Sequence, residues 1–133
     1  MKDELEYVER FHGHLGPYAI IGYRMGLIAC EKLGKDPFEK KVTVSTGTTP
    51  PLSCIIDGIQ LSSGCTLGKG NIHVDNSLQP VAEFNNKKGD HLKISLRKNV
   101  WDELETNVTL DNIHLYSKDI YQRTDSDLFE IEA

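Results

Sequence analysis

The stretch PYAIIGYRMGLIACEKL, residues 17–33, decides the fold. Its apolar residues recur three and four positions apart, which predicts an amphipathic helix with one buried face. Proline is well tolerated at the first position of a helix, and Gly34 suits the left-handed residue that often ends one. Gly22 and Gly26 each lower helix propensity by roughly 1 kcal/mol relative to alanine. Small residues four apart leave a flat strip on which a second backbone can pack closely.

The segments on either side of this helix predict an α+β fold. Further helices are expected at residues 3–10, 52–62, 99–105 and 113–121, and strands at residues 41–46, 71–74, 81–85 and 91–97. This order favours a small mixed four-stranded sheet covered by helices. We expect a single domain over residues 1–133, with its core at about residues 7–97. Residues 98–133 are expected to form a C-terminal helical segment that ends in a short hydrophobic tail docked back onto the domain.

The composition narrows the class of protein. The 133 residues include 20 acidic and 15 basic ones, and the formal net charge of −5 argues against a nucleic-acid partner, because such binding needs a basic surface. No stretch approaches the roughly 20 apolar residues that cross a bilayer, and the acidic start has no secretory hydrophobic segment. The three cysteines fit no secreted disulfide framework. The sequence therefore predicts no membrane partner and a cytoplasmic location.

The first segment with chemical potential is FHGHLGP, residues 11–17. Two histidines flank one glycine immediately before the long helix. Side chains two positions apart in an extended or turn conformation point the same way, so His12 and His14 can meet one metal ion. The same spacing is equally compatible with a helix cap or a surface group.

The second segment is PLSCIIDGIQ, residues 51–60, with Cys54 in the first turn of an expected helix. The helix dipole and the free N–H groups there favour the thiolate, which is the form that binds a metal or attacks an electrophile. Alternatively, Cys54 is a small buried apolar residue. Asp57 and Gln60 are three positions apart on the same helix face, and a polar pair within an apolar helix needs partners or a cavity.

The third segment is GCTLGKGN, residues 64–71. A phosphate-binding P-loop is excluded, because that motif has four residues between its glycines and Ser or Thr after its lysine. Here three residues separate the glycines, and Gly70 follows Lys69. The glycines favour a tight return into the sheet. The backbone amides and Lys69 can still hold an anion.

In this order, the three segments resemble the FmdE-like family, domains related to the FmdE component of formylmethanofuran dehydrogenase. The family's Phe-His-Gly-His-x-Cys-Pro motif corresponds to residues 11–17. Its Cys-x-x-Asp-x-Ile-Gln and Thr-Gly-Cys-Thr-x-Gly-Lys-Gly-Asn motifs correspond to residues 54–60 and 63–71. The similarity covers roughly residues 7–97. Two departures are visible: Gly16 occupies the place of the first motif's cysteine, and the Cys-x-x-Cys pairs of the family's C-terminal zinc ribbon are missing from the sequence.

The resemblance implies an α+β domain, often a homodimer, with a divalent transition metal, usually zinc, near the histidine and cysteine motifs. Ranked by preference, the candidate metal ligands are His14, Cys54, His12 and Cys65. Cys65 ranks last because an expected helix separates it from Cys54 by more than about 10 Å. The candidates that line the surrounding pocket are Asp57, Gln60, Thr66 and Lys69.

Three functions remain open from the sequence. The first is a metal-binding FmdE-like protein, an accessory or small catalytic module of one-carbon or redox metabolism. Because the sequence has no molybdopterin, flavin or iron–sulfur signature, dehydrogenase chemistry would need partner enzyme subunits. A small-molecule ligand in the pocket is a separate expectation of this function. The second is a metal-free enzyme with Cys54 as nucleophile and His12 or His14 as base. The third is an interaction module whose residues 101–133, with nine acidic and two basic side chains, dock a partner.

Overall fold

The computed structural model describes residues 2–133, and each predicted helix and strand overlaps an element of the same type, although several ends differ by one or two residues. The helices are α1 (Lys2–His12), α2 (Pro17–Leu33), α3 (Cys54–Ser63), α4 (Lys98–Asn107), α5 (Ile113–Gln122) and α6 (Asp125–Leu128). The strands are β1 (Lys40–Val44), β2 (Ile72–Val74), β3 (Val81–Asn86), β4 (His91–Leu96) and β5 (Phe129–Glu132). The expected α+β class is therefore confirmed.

The strands form one mixed sheet in the order β2-β1-β3-β4-β5. Strands β1 and β2 are parallel, and the other neighbours are antiparallel. Side chains alternate along β1, β3 and β4 between buried and more exposed positions, so one face of the sheet meets the core. Helix α2 contacts β3 and β4 on that covered side.

The predicted strand number of four is wrong, because the C-terminal tail adds a fifth strand. Phe129 and Ile131 pair with Leu96 and Ile94 of β4, and Phe129 is fully buried. The tail docks as expected, but it does so through backbone pairing at the sheet edge. A four-residue segment is too short for its alternation to distinguish a strand, and its pairing partner lies more than 30 positions earlier in the sequence.

Helices α2 and α3 pack closely at two glycines, one on each helix. A Cβ atom on Gly22 would lie 1.9 Å from the carbonyl oxygen of Ile55, and one on Gly58 would lie 2.0 Å from that of Ala19. The strip of small residues predicted on α2 is thus the surface against which α3 packs. This crossing brings the first turn of α3, which begins at Cys54, close to the first turn of α2.

Hydrogen bonds of polar and charged side chains connect the C-terminal helices to α2 and to each other. Arg24 of α2 donates to the carbonyl oxygen of Tyr121 at 2.7 Å and to Asp125 Oδ1 at 2.6 Å. Arg123 donates to both carboxylate oxygens of Glu103, at 2.9 and 2.8 Å, and the hydroxyl of Tyr116 donates to the same carboxylate. These contacts hold α4 and α5 together.

Candidate functional site

A cavity of about 150 Å³ lies where the end of α1 and the starts of α2, α3 and α5 meet one side of α4. Its lining combines two imidazoles, a thiol, a phenol and a carboxylate with apolar groups. The lining residues are His12, His14, Gly16, Pro17, Tyr18, Ala19, Pro51, Cys54, Leu104, Glu105, Val108 and Ile113. Three of the four predicted metal ligands thus share one cavity.

His12 is positioned by a carboxylate from the neighbouring helix. Its Nδ1 lies 2.6 Å from Oδ2 of Asp57, and only 10% of its side chain is exposed. A protonated Nδ1 donates to this carboxylate, which leaves Nε2 as the nitrogen with a free lone pair. Histidines that bind a metal through one ring nitrogen commonly donate the N–H of the other ring nitrogen to a carboxylate.

The two histidines come together through the turn between α1 and α2. Gly13 has a φ of +101°, a conformation that favours glycine, and it reverses the chain after His12. The rings of His12 and His14 lie with their centroids 4.9 Å apart and their planes tilted by 48°. The His-Gly-His spacing therefore does place both imidazoles beside one space.

Cys54 is the first residue of α3 and is partly buried. Burial raises the pKa of its thiol, and the negative charge of Asp57 raises the pKa further. The thiolate expected at this helix N-terminus is therefore not favoured, because burial and the neighbouring Asp57 carboxylate both favour the thiol. Without a cation to reverse this balance, Cys54 is a poor nucleophile at neutral pH.

The remaining predicted residues lie elsewhere. Cys65 is fully buried in the hydrophobic core and does not line the cavity, and burial raises the pKa of its thiol. Gln60, Thr66 and Lys69 line a separate surface groove. Within it, Gln60 Oε1 accepts a hydrogen bond from the Leu67 backbone at 3.1 Å. None of these three residues lines the cavity, and among the four predicted pocket residues Asp57 is the one hydrogen-bonded to a cavity residue, His12.

Sequence reasoning missed two polar residues of the cavity, Tyr18 and Glu105. Burial raises the pKa of Tyr18, and the negative charge of Glu105 raises it further. Glu105 Oε1 accepts a hydrogen bond from Trp101 Nε1 at 3.2 Å. No local pattern marks either residue. Tyr18 lies inside an apolar helix, and Glu105 belongs to the C-terminal helical segment, outside the expected core at about residues 7–97.

The donor atoms of the cavity suit a transition metal in type, since imidazole nitrogen and thiolate sulfur are the usual ligands of zinc. Their arrangement falls short of a complete set. Among residues 2–133, no three His, Cys, Asp or Glu side chains form a ready group of metal ligands. Gly16 occupies the position of the missing ligand. A Cβ atom there would lie 3.1 Å from Cε1 and 3.6 Å from Nδ1 of His14. A cysteine at this position would carry its sulfur beside His14.

Within the described part of the chain, no helix has both the length and the apolar character needed to cross a bilayer.

A curated relative from Archaeoglobus fulgidus, a probable S-adenosyl-L-methionine-binding protein, is 30% identical over 114 residues. The match covers 81% of this chain and 27% of the relative, so the chain spans about a quarter of that protein's length. A crystal structure of a tungsten formylmethanofuran dehydrogenase FmdE-like protein from Syntrophus aciditrophicus matches with a TM-score of 0.66 at 20% identity, over 98% of this chain and 70% of that one. This match shows a shared fold.

The family described as FmdE, molybdenum formylmethanofuran dehydrogenase operon, matches residues 11–130. That range includes the three motifs of the sequence and extends through the C-terminal helices to β5. The chain therefore belongs to the FmdE family.

Proposed function

We propose that this protein is a metal-binding FmdE-family module in which His12, His14 and Cys54 hold a divalent transition metal, zinc first. The observation that carries the proposal is the 2.6 Å contact between His12 Nδ1 and Asp57. It orients one imidazole beside a second imidazole and a thiol on a single cavity wall. Because position 16 is glycine, the site has one protein donor fewer than the family motif, and we expect weaker binding than a closed zinc site shows.

A bound cation of this kind polarises a carbonyl group or activates water. The residues around it have definable tasks. Asp57 holds His12 in one orientation, and the apolar side chains of α4 and α5 limit access of water to the cavity. The chain is then an accessory or small catalytic module related to formylmethanofuran dehydrogenase, and a homodimer or a complex with partner enzyme subunits is part of the same proposal.

We do not propose that this protein binds S-adenosyl-L-methionine, the ligand named for the Archaeoglobus relative. The chain spans 27% of that protein, and a cavity of about 150 Å³ lies below the roughly 300–1,000 Å³ typical of pockets for larger ligands. The cavity instead suits a cation together with a molecule of few atoms.

The test is elemental analysis of protein purified without chelator or affinity tag and then loaded with zinc. We expect about one metal per chain in the parent and loss of metal in His14→Ala and Cys54→Ser. His91→Ala is the matched control, because His91 pairs with Glu83 at the surface and does not line the cavity. Substoichiometric metal in the parent, or full metal in both site variants, would refute the assignment.

Two further variants locate the metal within the cavity. Asp57→Asn removes the charge behind His12 and should weaken zinc binding by roughly 10–100-fold. Gly16→Cys adds a sulfur beside His14 and should tighten binding, whereas Gly16→Ser, which is similar in size but a poor zinc ligand, should not. Equal affinities for the two position-16 variants would place the metal elsewhere. Light scattering on the same samples tests the homodimer.

A further inference from the structure

A groove of about 330 Å³, where β1 starts and β3 ends, concentrates positive charge on an acidic protein. It shares no lining residue with the histidine cavity. Glu39 is the one carboxylate among its lining residues, and an adjoining groove contributes Asp36. The lysines that line the two grooves are Lys35, Lys40, Lys41, Lys87 and Lys88. Such a cluster, on a chain with a net charge of −5, attracts anions to this place on the surface.

Most polar side chains of the 330 Å³ groove are already engaged within the protein. Asn71 donates to two backbone carbonyl oxygens, at 2.8 and 3.2 Å. The buried ammonium group of Lys40 does the same, at 2.8 and 3.0 Å. Asn86 donates to a carboxylate of the following turn at 3.0 Å, and Lys87 pairs with Glu39 at 3.2 Å. These side chains therefore serve the fold, and a ligand has to be recognised by others.

Two polar side chains of the groove have no such partner. Among residues 2–133, no hydrogen bond or ion pair engages the ammonium group of Lys41 or the side-chain amide of Asn85. Lys41 of β1 and Asn85 of β3 are partners in the strand register, so their side chains lie next to each other on the same face of the sheet. The pair offers one positive charge and one amide N–H donor, which together suit an oxyanion such as phosphate or carboxylate.

An exposed aromatic ring lines the same groove. Phe38 is 65% exposed, and Nζ of Lys69 lies 5.7 Å from the centre of its ring, close enough for the cation to be attracted to the ring. Ligand sites typically combine apolar or aromatic surface with a few polar groups, in a volume of roughly 300–1,000 Å³. The groove, at about 330 Å³, meets both conditions. A ring on Phe38 and an anionic group on Lys41 and Asn85 would use every unengaged group named here.

We propose that this groove binds a small aromatic anion, a compound with one planar ring that carries a phosphate group. The ring packs against Phe38, and the phosphate oxygens accept hydrogen bonds from Lys41 and Asn85. Phosphate matches better than carboxylate, because its double charge can be shared by Lys41 and the nearby Lys69. The site does not depend on the proposed metal, since the two sites have no lining residue in common.

The test is a chemical-shift titration of the whole chain, without added zinc, with three probes. Phenyl phosphate has both the ring and the charge, inorganic phosphate lacks the ring, and benzyl alcohol lacks the charge. We expect saturable binding of phenyl phosphate, with the largest shifts at the backbone amides of Lys41, Gly70 and Asn85. Inorganic phosphate should bind roughly three- to tenfold more weakly, because it gains no contact with the aromatic ring. Benzyl alcohol should also bind more weakly than phenyl phosphate.

Two variants separate the contributions of charge and ring. Lys41→Gln should weaken phenyl phosphate and inorganic phosphate alike, by roughly three- to tenfold. Phe38→Ala should weaken phenyl phosphate by roughly the same factor and leave inorganic phosphate unchanged. Lys93→Gln is the matched control, because Lys93 lies on the same face of the sheet in β4 but does not line the groove. All three side chains are at least partly exposed, so the variants should keep the fold.

Several results would overturn the proposal. Phenyl phosphate might fail to saturate the parent, bind Lys41→Gln as tightly as the parent, or shift chiefly the amides of Gly16 and Cys54 in the histidine cavity. Equal weakening by Lys93→Gln would show only a general attraction of anions to lysines. A peptide of four glutamates tests the other class of occupant. If it binds more tightly than phenyl phosphate, the groove takes an acidic segment of a protein and not a small aromatic anion.

Discussion

Substituting Gly22 by alanine tests the packing on which the cavity depends. The new methyl group would lie 1.9 Å from the carbonyl oxygen of Ile55 and 2.7 Å from its carbonyl carbon. Both are backbone atoms of α3, so no side chain can rotate away. Since tight contacts begin to ease at about 3.4 Å, the two helices would have to separate by about 1.5 Å.

The expected result is a net loss of stability. Overpacking of a core costs about 1–3 kcal/mol and sometimes more, and a collision between two backbones falls at the upper end of that range. Alanine recovers roughly 1 kcal/mol of helix propensity. We therefore expect the free energy of unfolding to fall by about 2 kcal/mol or more. The separation also moves Cys54 and Asp57 away from the first turn of α2, so zinc affinity should fall as well.

Urea unfolding followed by the fluorescence of Trp101, the single tryptophan, measures the stability change. Gly26→Ala is the matched comparison, because its new methyl group would lie 1.8 Å from the side-chain oxygen of Ser62 and meets backbone less closely, with the Ser63 nitrogen at 2.9 Å. That hydroxyl can rotate, although it then gives up its hydrogen bond to the Gly58 carbonyl. Gly26→Ala should therefore cost less than Gly22→Ala. A neutral or stabilising Gly22→Ala would refute the close crossing of α2 and α3.

Two further predictions concern the C-terminal elements. Hydrogen bonds from Arg123 lower the pKa of Glu103 from an ordinary 4.5 to about 2. This pair therefore stabilises the fold above about pH 4.5, and its contribution is lost as the pH falls toward 2. Allowing for partial exposure, Arg123→Met should cost roughly 1–2 kcal/mol at pH 7 and little at pH 2 in urea unfolding; a cost independent of pH would contradict the shift. Phe129→Ala, at a fully buried position of β5, should cost about 3–5 kcal/mol and speed amide hydrogen exchange in β4. Unchanged exchange there would show that β5 does not support β4.

Much of the fold follows from local pattern. The apolar spacing of residues 17–33 predicts α2 with both of its ends, and the alternation of Leu92, Ile94 and Leu96 predicts β4. Strand β5 is not predicted as a strand, because four residues carry too little periodicity. Its pairing with β4 depends on how the C-terminal helices turn the chain back. Signals within one element were thus readable, whereas pairings set by tertiary structure were not.

Some residues of the candidate site were likewise predictable from local sequence, whereas others were not. His12 and His14 are neighbours in sequence, so the turn that joins them was predictable, and Cys54 followed from its motif. Tyr18 was not found because its position on the cavity wall, beside Glu105 of α4, is set by tertiary packing. The resemblance implies that Lys69 lines the same pocket, but the loop after α3 places it in a different groove.

The walls of the cavity come from widely separated parts of the chain. His12 meets Asp57 across 45 positions, and Tyr18 faces a helix that begins at Lys98. A partially folded chain therefore has no such cavity, and a compound that occupies it binds the native state alone. By mass action, such a compound at a hundred times its dissociation constant would add about 2.7 kcal/mol to the folded state. The cavity's first occupant can accordingly be sought by screening compounds for protection against heat, before any reaction is known.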